Sequence, residues 1–88
     1  MSDASRPVVN GHFRLQWEEA QQAWVLLYPE GMVKLNGSAG EIMRRCDGQR
    51  SVAEIVADLE QAFATSGLHD DVVAFLELAA EKRWVLPS

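Results

Sequence analysis

The run Leu27–Asn36, LYPEGMVKLN, constrains this chain more than any other stretch. Pro29 fixes its own φ and Gly31 tolerates positive φ, so Tyr28-Pro29-Glu30-Gly31 reads as a tight turn with a mechanism. The segment after it, Met32–Leu35, is about four residues long, the length of a short edge strand. Two strands joined so tightly are antiparallel neighbours. An edge strand also carries a row of unpaired backbone donors and acceptors, which can accept another peptide as an added strand.

The residues before this run predict two strands. Phe13, Leu15 and Trp17 alternate with Arg14, Gln16 and Glu18, the pattern of a half-buried strand. Trp24–Tyr28 is apolar nearly throughout, as in a central strand. With Met32–Leu35 these form a three-stranded meander. Residues 1–10 are rich in Ser, Asp, Arg, Pro and Asn-Gly and read as a loose arm, followed by one domain over residues 11–86.

The remainder predicts three helices. Ser38-Ala39-Gly40-Glu41 matches a capping box, with Ile42, Met43 and Cys46 as a short apolar face and Asp47-Gly48 as the stop. Ser51-Val52-Ala53-Glu54 is a second capping box. It opens a longer helix with Val52, Ile55, Val56, Leu59 and Phe63 at core spacing, ended by Thr65-Ser66-Gly67. A third helix starts near Asp70 and Asp71, whose charges favour a helix N-terminus, and runs to about Trp84. The fold class is therefore α+β, a small winged-helix-like domain with a three-stranded antiparallel sheet followed by three helices. Gly37 and Gly40 weaken the first helix by up to about 1 kcal/mol each. A frayed first helix permits exchange of elements between chains, so a homodimer at high concentration is expected.

Several function classes fall away. The net charge of −5 argues against nucleic acid and anionic membrane surfaces. The two helices joined by CDGQR resemble a helix-turn-helix, but the second would present Glu54, Asp58 and Glu60 to phosphates. No apolar run reaches transmembrane length, and the first residues lack the pattern of a signal peptide, so a cytoplasmic location is expected. His12 and His69 lie outside metal-ligand spacings, Cys46 is a lone packing cysteine, and no phosphate-binding glycine loop is present. Neither an enzyme nor a cofactor or metal site is expected.

The third helix is apolar over more than one face. Val72, Leu76, Ala79 and Arg83 share one stripe; Asp71, Phe75, Leu78 and Lys82 form the next; Val73, Ala80 and Trp84 extend the other flank. Either the domain packs this helix on two sides, or one flank lines a groove beside the edge strand. The stripe Asp71–Lys82, with a charge at each end of an apolar middle, suits a groove better.

RLQWE (Arg14–Glu18), LYPEGMVKLN (Leu27–Asn36), CDG (Cys46–Gly48) and DDVVAFL (Asp70–Leu76) with Arg83-Trp84 stand in the order and spacing of the PqqD family. The chain resembles that family, of pyrroloquinoline quinone biosynthesis, over about residues 6 to 86. The resemblance implies a peptide chaperone. It would bind the ribosomal precursor peptide PqqA and present it to PqqE, a radical SAM enzyme that cross-links a Glu and a Tyr. It also implies a precursor-recognition (RiPP recognition element) fold in which the peptide adds beside the third strand and packs on the third helix. Carried onto this chain, the peptide-binding residues are Met32, Val33, Lys34 and Leu35 on the strand, with Asp71, Val72, Phe75, Leu78 and Lys82 on the helix. The rival readings are a non-catalytic scaffold subunit that does not hold the peptide, and a DNA-binding winged helix.

Overall fold

In the computed structural model, which describes residues 1–87, the chain runs β1 (Val8–Val9), β2 (Arg14–Glu18), β3 (Ala23–Tyr28), β4 (Gly31–Lys34), α1 (Gly37–Met43), α2 (Val52–Ala62), α3 (His69–Glu81) and β5 (Val85–Leu86). β2, β3 and β4 form an antiparallel sheet in that order, with β4 on one edge. The apolar run expected to be central is central: Val25 and Leu26 in β3 are both fully buried. One face of the sheet meets the helices through Leu26 and Leu35, which join Ile42, Met43, Ile55, Leu59 and Leu76 in one core.

The YPEG turn closes β3 onto β4 with Tyr28 opposite Gly31. One step beyond the Val25–Lys34 pair, the Leu35 amide donates to the Trp24 carbonyl at 2.9 Å. Antiparallel pairs alternate between hydrogen-bonded and non-hydrogen-bonded. Val33, two residues from Leu35, therefore turns its amide and carbonyl inward to Leu26. Met32 and Lys34 turn theirs outward, to the free edge.

The helix ends depart from the sequence reading in instructive places. The second capping box forms in full, with Ser51 Oγ accepting from the Glu54 amide and Glu54 accepting from the Ser51 amide. The first does not. Asn36, left in extended conformation at the end of β4, takes the cap, and its Oδ1 accepts from the Ala39 amide at 2.8 Å. Ser38 is then inside the helix and donates to Asn36 Oδ1, while Glu41 accepts from Arg45. Asn and Ser cap equally well, so position relative to the strand decides. α1 ends at Met43, earlier than Asp47-Gly48, and Cys46 is buried beyond it.

Arg45 ties α1 to α2. Its guanidinium is largely buried and donates to both Glu41 and Asp58. Burial alone would lower its pKa, but the two carboxylates outweigh burial and raise it. The hydrogen bond from Arg45 holds Glu41 and Asp58 below the usual carboxylate range.

Residues 1–10, read as a loose arm, lie against the domain in this structure. Val8–Val9 pairs antiparallel with β5, and Pro7 is fully buried. The carbonyls of Ser5 and Asp3 accept from the Val52 and Ala53 amides, two of the unpaired donors at the start of α2. β5 exists because α3 stops at Glu81 instead of continuing to Trp84; Arg83 adopts φ +63° and redirects the chain. Asn10 locks that corner by donating from Nδ2 to the Arg83 carbonyl.

His69, at the start of α3, meets Asp3 at 2.8 Å and Asp70 at 3.1 Å. The hydrogen bond to Asp3, then that to Asp70, raises its pKa above 6.5. A raised histidine stabilises the folded form fully below its unfolded pKa and loses that contribution as pH rises through the folded value. The Asp3 contact should therefore be strongest in mildly acidic solution. An NMR titration of His69 should give a midpoint above 6.5, and Asp3→Asn should bring it down; an unchanged midpoint in Asp3→Asn would remove this contact from the account.

Candidate functional site

A groove of about 870 Å³ opens beside the free edge of β4. One wall is the strand and its exit, Val33–Leu35, continued by the start of α1 through Ala39 and Ile42. The opposite wall is α3, which contributes Asp71, Val72, Phe75 and Leu78. Leu59, Phe63 and Leu68 close it from α2 and the loop that follows, and Trp84 lines it from beyond α3.

The wide apolar arc of α3 resolves into two uses. Val72, Leu76 and Ala79 are buried in the core. Phe75 packs partly on that core and partly lines the groove, while Leu78 remains 45% exposed. Leu78 and the exposed Phe63 line the same groove and form a contiguous apolar patch, the kind of surface that marks an interaction site. Asp71 stands exposed at the first turn of α3 and marks a polar rim.

Of the residues named from the sequence, Val33, Lys34, Leu35, Asp71, Val72, Phe75 and Leu78 line this groove. Met32 and Lys82 do not. Met32 is on the outer face of the sheet beside Leu27, exposed at 47%. Lys82 caps the end of α3 with its ammonium 5.8 Å from the Trp84 ring, so it reaches the groove wall only through Trp84.

Phe63, whose spacing predicts a core position, is instead 54% exposed on the groove. It is the C-cap of α2, where the helix has ended and Ala64 turns to φ +50°, so helical periodicity no longer places its side chain. Leu59 and Ile42 hold the core positions their apolar pattern predicts and also border the groove. Leu68 and Trp84 line it from outside the regular part of α3, where periodicity assigns no face.

Cys46 is buried and donates its thiol to the Ile42 carbonyl. Burial, with the Asp47 charge adding, pushes its pKa up to about 12, far from a reactive thiolate. Among the described residues no helix is long and apolar enough to cross a membrane.

Residues 23–85 match the family model of PqqD, coenzyme PQQ synthesis protein D, which covers most of the sheet and all three helices. The chain belongs to the PqqD family. A "PqqA binding protein" of Azotobacter vinelandii is 54% identical over 80 residues, covering 90% of this chain and 87% of the relative. One from Pseudomonas aeruginosa PAO1 is 52% identical, covering 92% and 89%. The solution structure of the PqqD part of Methylobacterium extorquens PqqCD superposes with a TM-score of 0.80 at 26% identity, covering 98% of this chain and 94% of that one. That domain is described as a functional, stand-alone recognition element for ribosomally synthesised, modified peptides. The crystal structure of PqqD from Xanthomonas campestris reaches a TM-score of 0.57 at 32% identity, with 96% of each chain covered. The α+β fold, a three-stranded antiparallel sheet and then three helices, is that of this family of recognition elements.

The two leucines of α3 separate fold from site. Leu76→Ala empties a fully buried position and should cost about 2–5 kcal/mol of stability. Leu78→Ala removes a half-exposed side chain and should change stability by no more than about 0.5 kcal/mol. Denaturant melts read both. If Leu78→Ala melts as early as Leu76→Ala, Leu78 belongs to the core and not to the groove wall.

Proposed function

We propose that this chain binds a precursor peptide of the PqqA kind by adding it as a strand to the free edge of β4, under α3, and presents it to a radical SAM enzyme of the PqqE kind. The observation that carries the reading is the open edge itself: the outward backbone groups of Lys34 border an apolar groove walled by Phe75 and Leu78, and those of Met32 continue the same free edge beyond it. Main-chain hydrogen bonds to that edge supply affinity, and alternate side chains entering the groove supply specificity. The PqqA-binding description of relatives above 50% identity supports the choice of ligand. Presentation to the radical SAM enzyme follows from the family resemblance, and it requires the protein to hold the peptide without transforming it. Exchange of elements between two chains remains the expected route to a dimer at high concentration.

The test is an amide NMR titration of the labelled protein with synthetic Azotobacter vinelandii PqqA. Shifts concentrated at Met32–Leu35, Phe75 and Leu78 are expected. Shifts confined to the opposite sheet edge, β2, would discard this site. No shifts at high peptide concentration would leave a scaffold subunit of the modifying enzyme as the better account.

A further inference from the structure

We infer that Lys34 is a specificity-determining residue, and that the peptide segment paired with β4 reads apolar–acidic–apolar. The inference rests on the strand-addition reading and deepens it. In a sheet, residues directly opposite each other share a face, and successive residues alternate faces. Val33 is opposite Leu26, and Leu35 stands opposite Trp24, on the face that meets the helices; both line the groove. Lys34 borders the groove at the backbone edge, but it is opposite Val25, and Val25 is opposite Gln16, which puts its side chain on the outer face. A strand added beside β4 inherits these faces. Its residues beside Val33 and Leu35 send side chains into the groove toward Phe75, Leu78 and Val72. The residue between them, beside Lys34, points to the outer face. This holds for either direction of the added strand.

The chemistry at each position follows. The groove walls are apolar, so the two inward positions call for apolar side chains. On the outer face, Lys34 is exposed, makes no ion pair among the described residues, and has only Val25 and then Gln16 across the sheet. It is the only charged side chain of β4. An acidic side chain directly opposite it gains a cross-strand pair, and a basic one is repelled. The overall charge of −5 would otherwise oppose an acidic peptide, so Lys34 selects the position at which a carboxylate is accepted.

The experiment is a substitution scan of Azotobacter vinelandii PqqA by fluorescence anisotropy against the wild-type protein and Lys34→Glu. Two peptide positions separated by one residue should each lose about tenfold or more on change to Ala, as expected for a buried aliphatic side chain. The acidic residue between them, changed to Lys, should weaken binding to the wild type about two- to fivefold. Lys34→Glu should weaken the parent peptide similarly and recover affinity with that acid-to-Lys peptide. The recovery should shrink as salt is raised. Melting of Lys34→Glu should match the wild type, which separates charge reading from folding. Binding that persists with no peptide position coupled to Lys34, or with adjacent positions equally sensitive to Ala, overturns this inference while leaving a peptide-binding protein. Failure of PqqA to bind at all overturns the proposed function, and this inference with it.

Discussion

Lys34→Pro should leave the domain folded and strip it of peptide binding, whereas Val33→Pro, one residue away, should unfold it. The contrast follows from one hydrogen bond. The Leu35 amide donates to the Trp24 carbonyl, which sets the alternation along β4 and turns the Val33 amide toward Leu26. Proline at Val33 deletes that donor beside a fully buried residue, orphaning a carbonyl at a cost of about 1–3 kcal/mol before any steric clash is added. A domain of this size has little to spare. Proline at Lys34 deletes a donor that faces solvent, which edge strands tolerate. Val33, as the preceding residue, is already in the extended conformation that proline demands. The added strand, however, loses a backbone donor and meets the pyrrolidine ring, so affinity should fall by about tenfold or more. Lys34→Ala, which keeps the amide, separates that loss from the loss of charge. Denaturant melts and a peptide titration on the three variants decide the matter. A Lys34→Pro protein that binds normally would show that the peptide does not use this edge.

The same alternation explains how far the sequence could be read. Strand period and turn chemistry are local properties, so β2, β3, the YPEG turn and β4 were legible as a meander. The Ser51–Glu54 box was legible because no competing cap precedes it. Ser38–Glu41 misled because Asn36 stands two residues upstream, where the strand ends. The short pair β1–β5 was invisible for a different reason. Two-residue strands carry no periodicity, and α3 is ended by Arg83 at positive φ, a place where sequence reading waits for glycine. Once β5 leaves the helix, Val8–Val9 has something to pair with, and Pro7 is carried into the core's margin. At the groove, periodicity separated Val72, Leu76 and Ala79, which are buried, from Asp71, Phe75 and Leu78, which line the groove, but it also carried Arg83 and Lys82 onto these stripes, and both stand beyond Glu81, the last residue of α3. It could not place Phe63, Leu68 or Trp84, which stand at or beyond helix ends where the period is lost.

Gly40→Ala should destabilise the protein although it improves helix propensity. Gly37 and Gly40 look alike in the sequence, as two liabilities in a short helix, yet the structure treats them differently. At Gly37 an added methyl meets nothing within 4 Å. At Gly40 it falls 2.8 Å from Cδ1 and 3.0 Å from Cβ of Trp24, where α1 crosses β3. The indole has little freedom to retreat. Trp17 meets it edge-on with ring centroids 5.6 Å apart, and the Arg44 guanidinium lies 5.8 Å from its centroid. Overpacking of this kind costs about 1–3 kcal/mol, against about 1 kcal/mol gained from propensity. A net loss of about 1 kcal/mol lowers the melting temperature of so small a domain by about 4–8 °C. Gly37→Ala should raise it or leave it unchanged. Trp24→Leu would relieve the contact, so the Gly40→Ala penalty should shrink in that background, a coupling that thermal melts of the double-mutant cycle measure. If Gly40→Ala stabilises as well as Gly37→Ala, α1 does not press on β3 at this point. The glycine would then be a weakness of the helix, and the position of α1 along the groove wall would need another explanation.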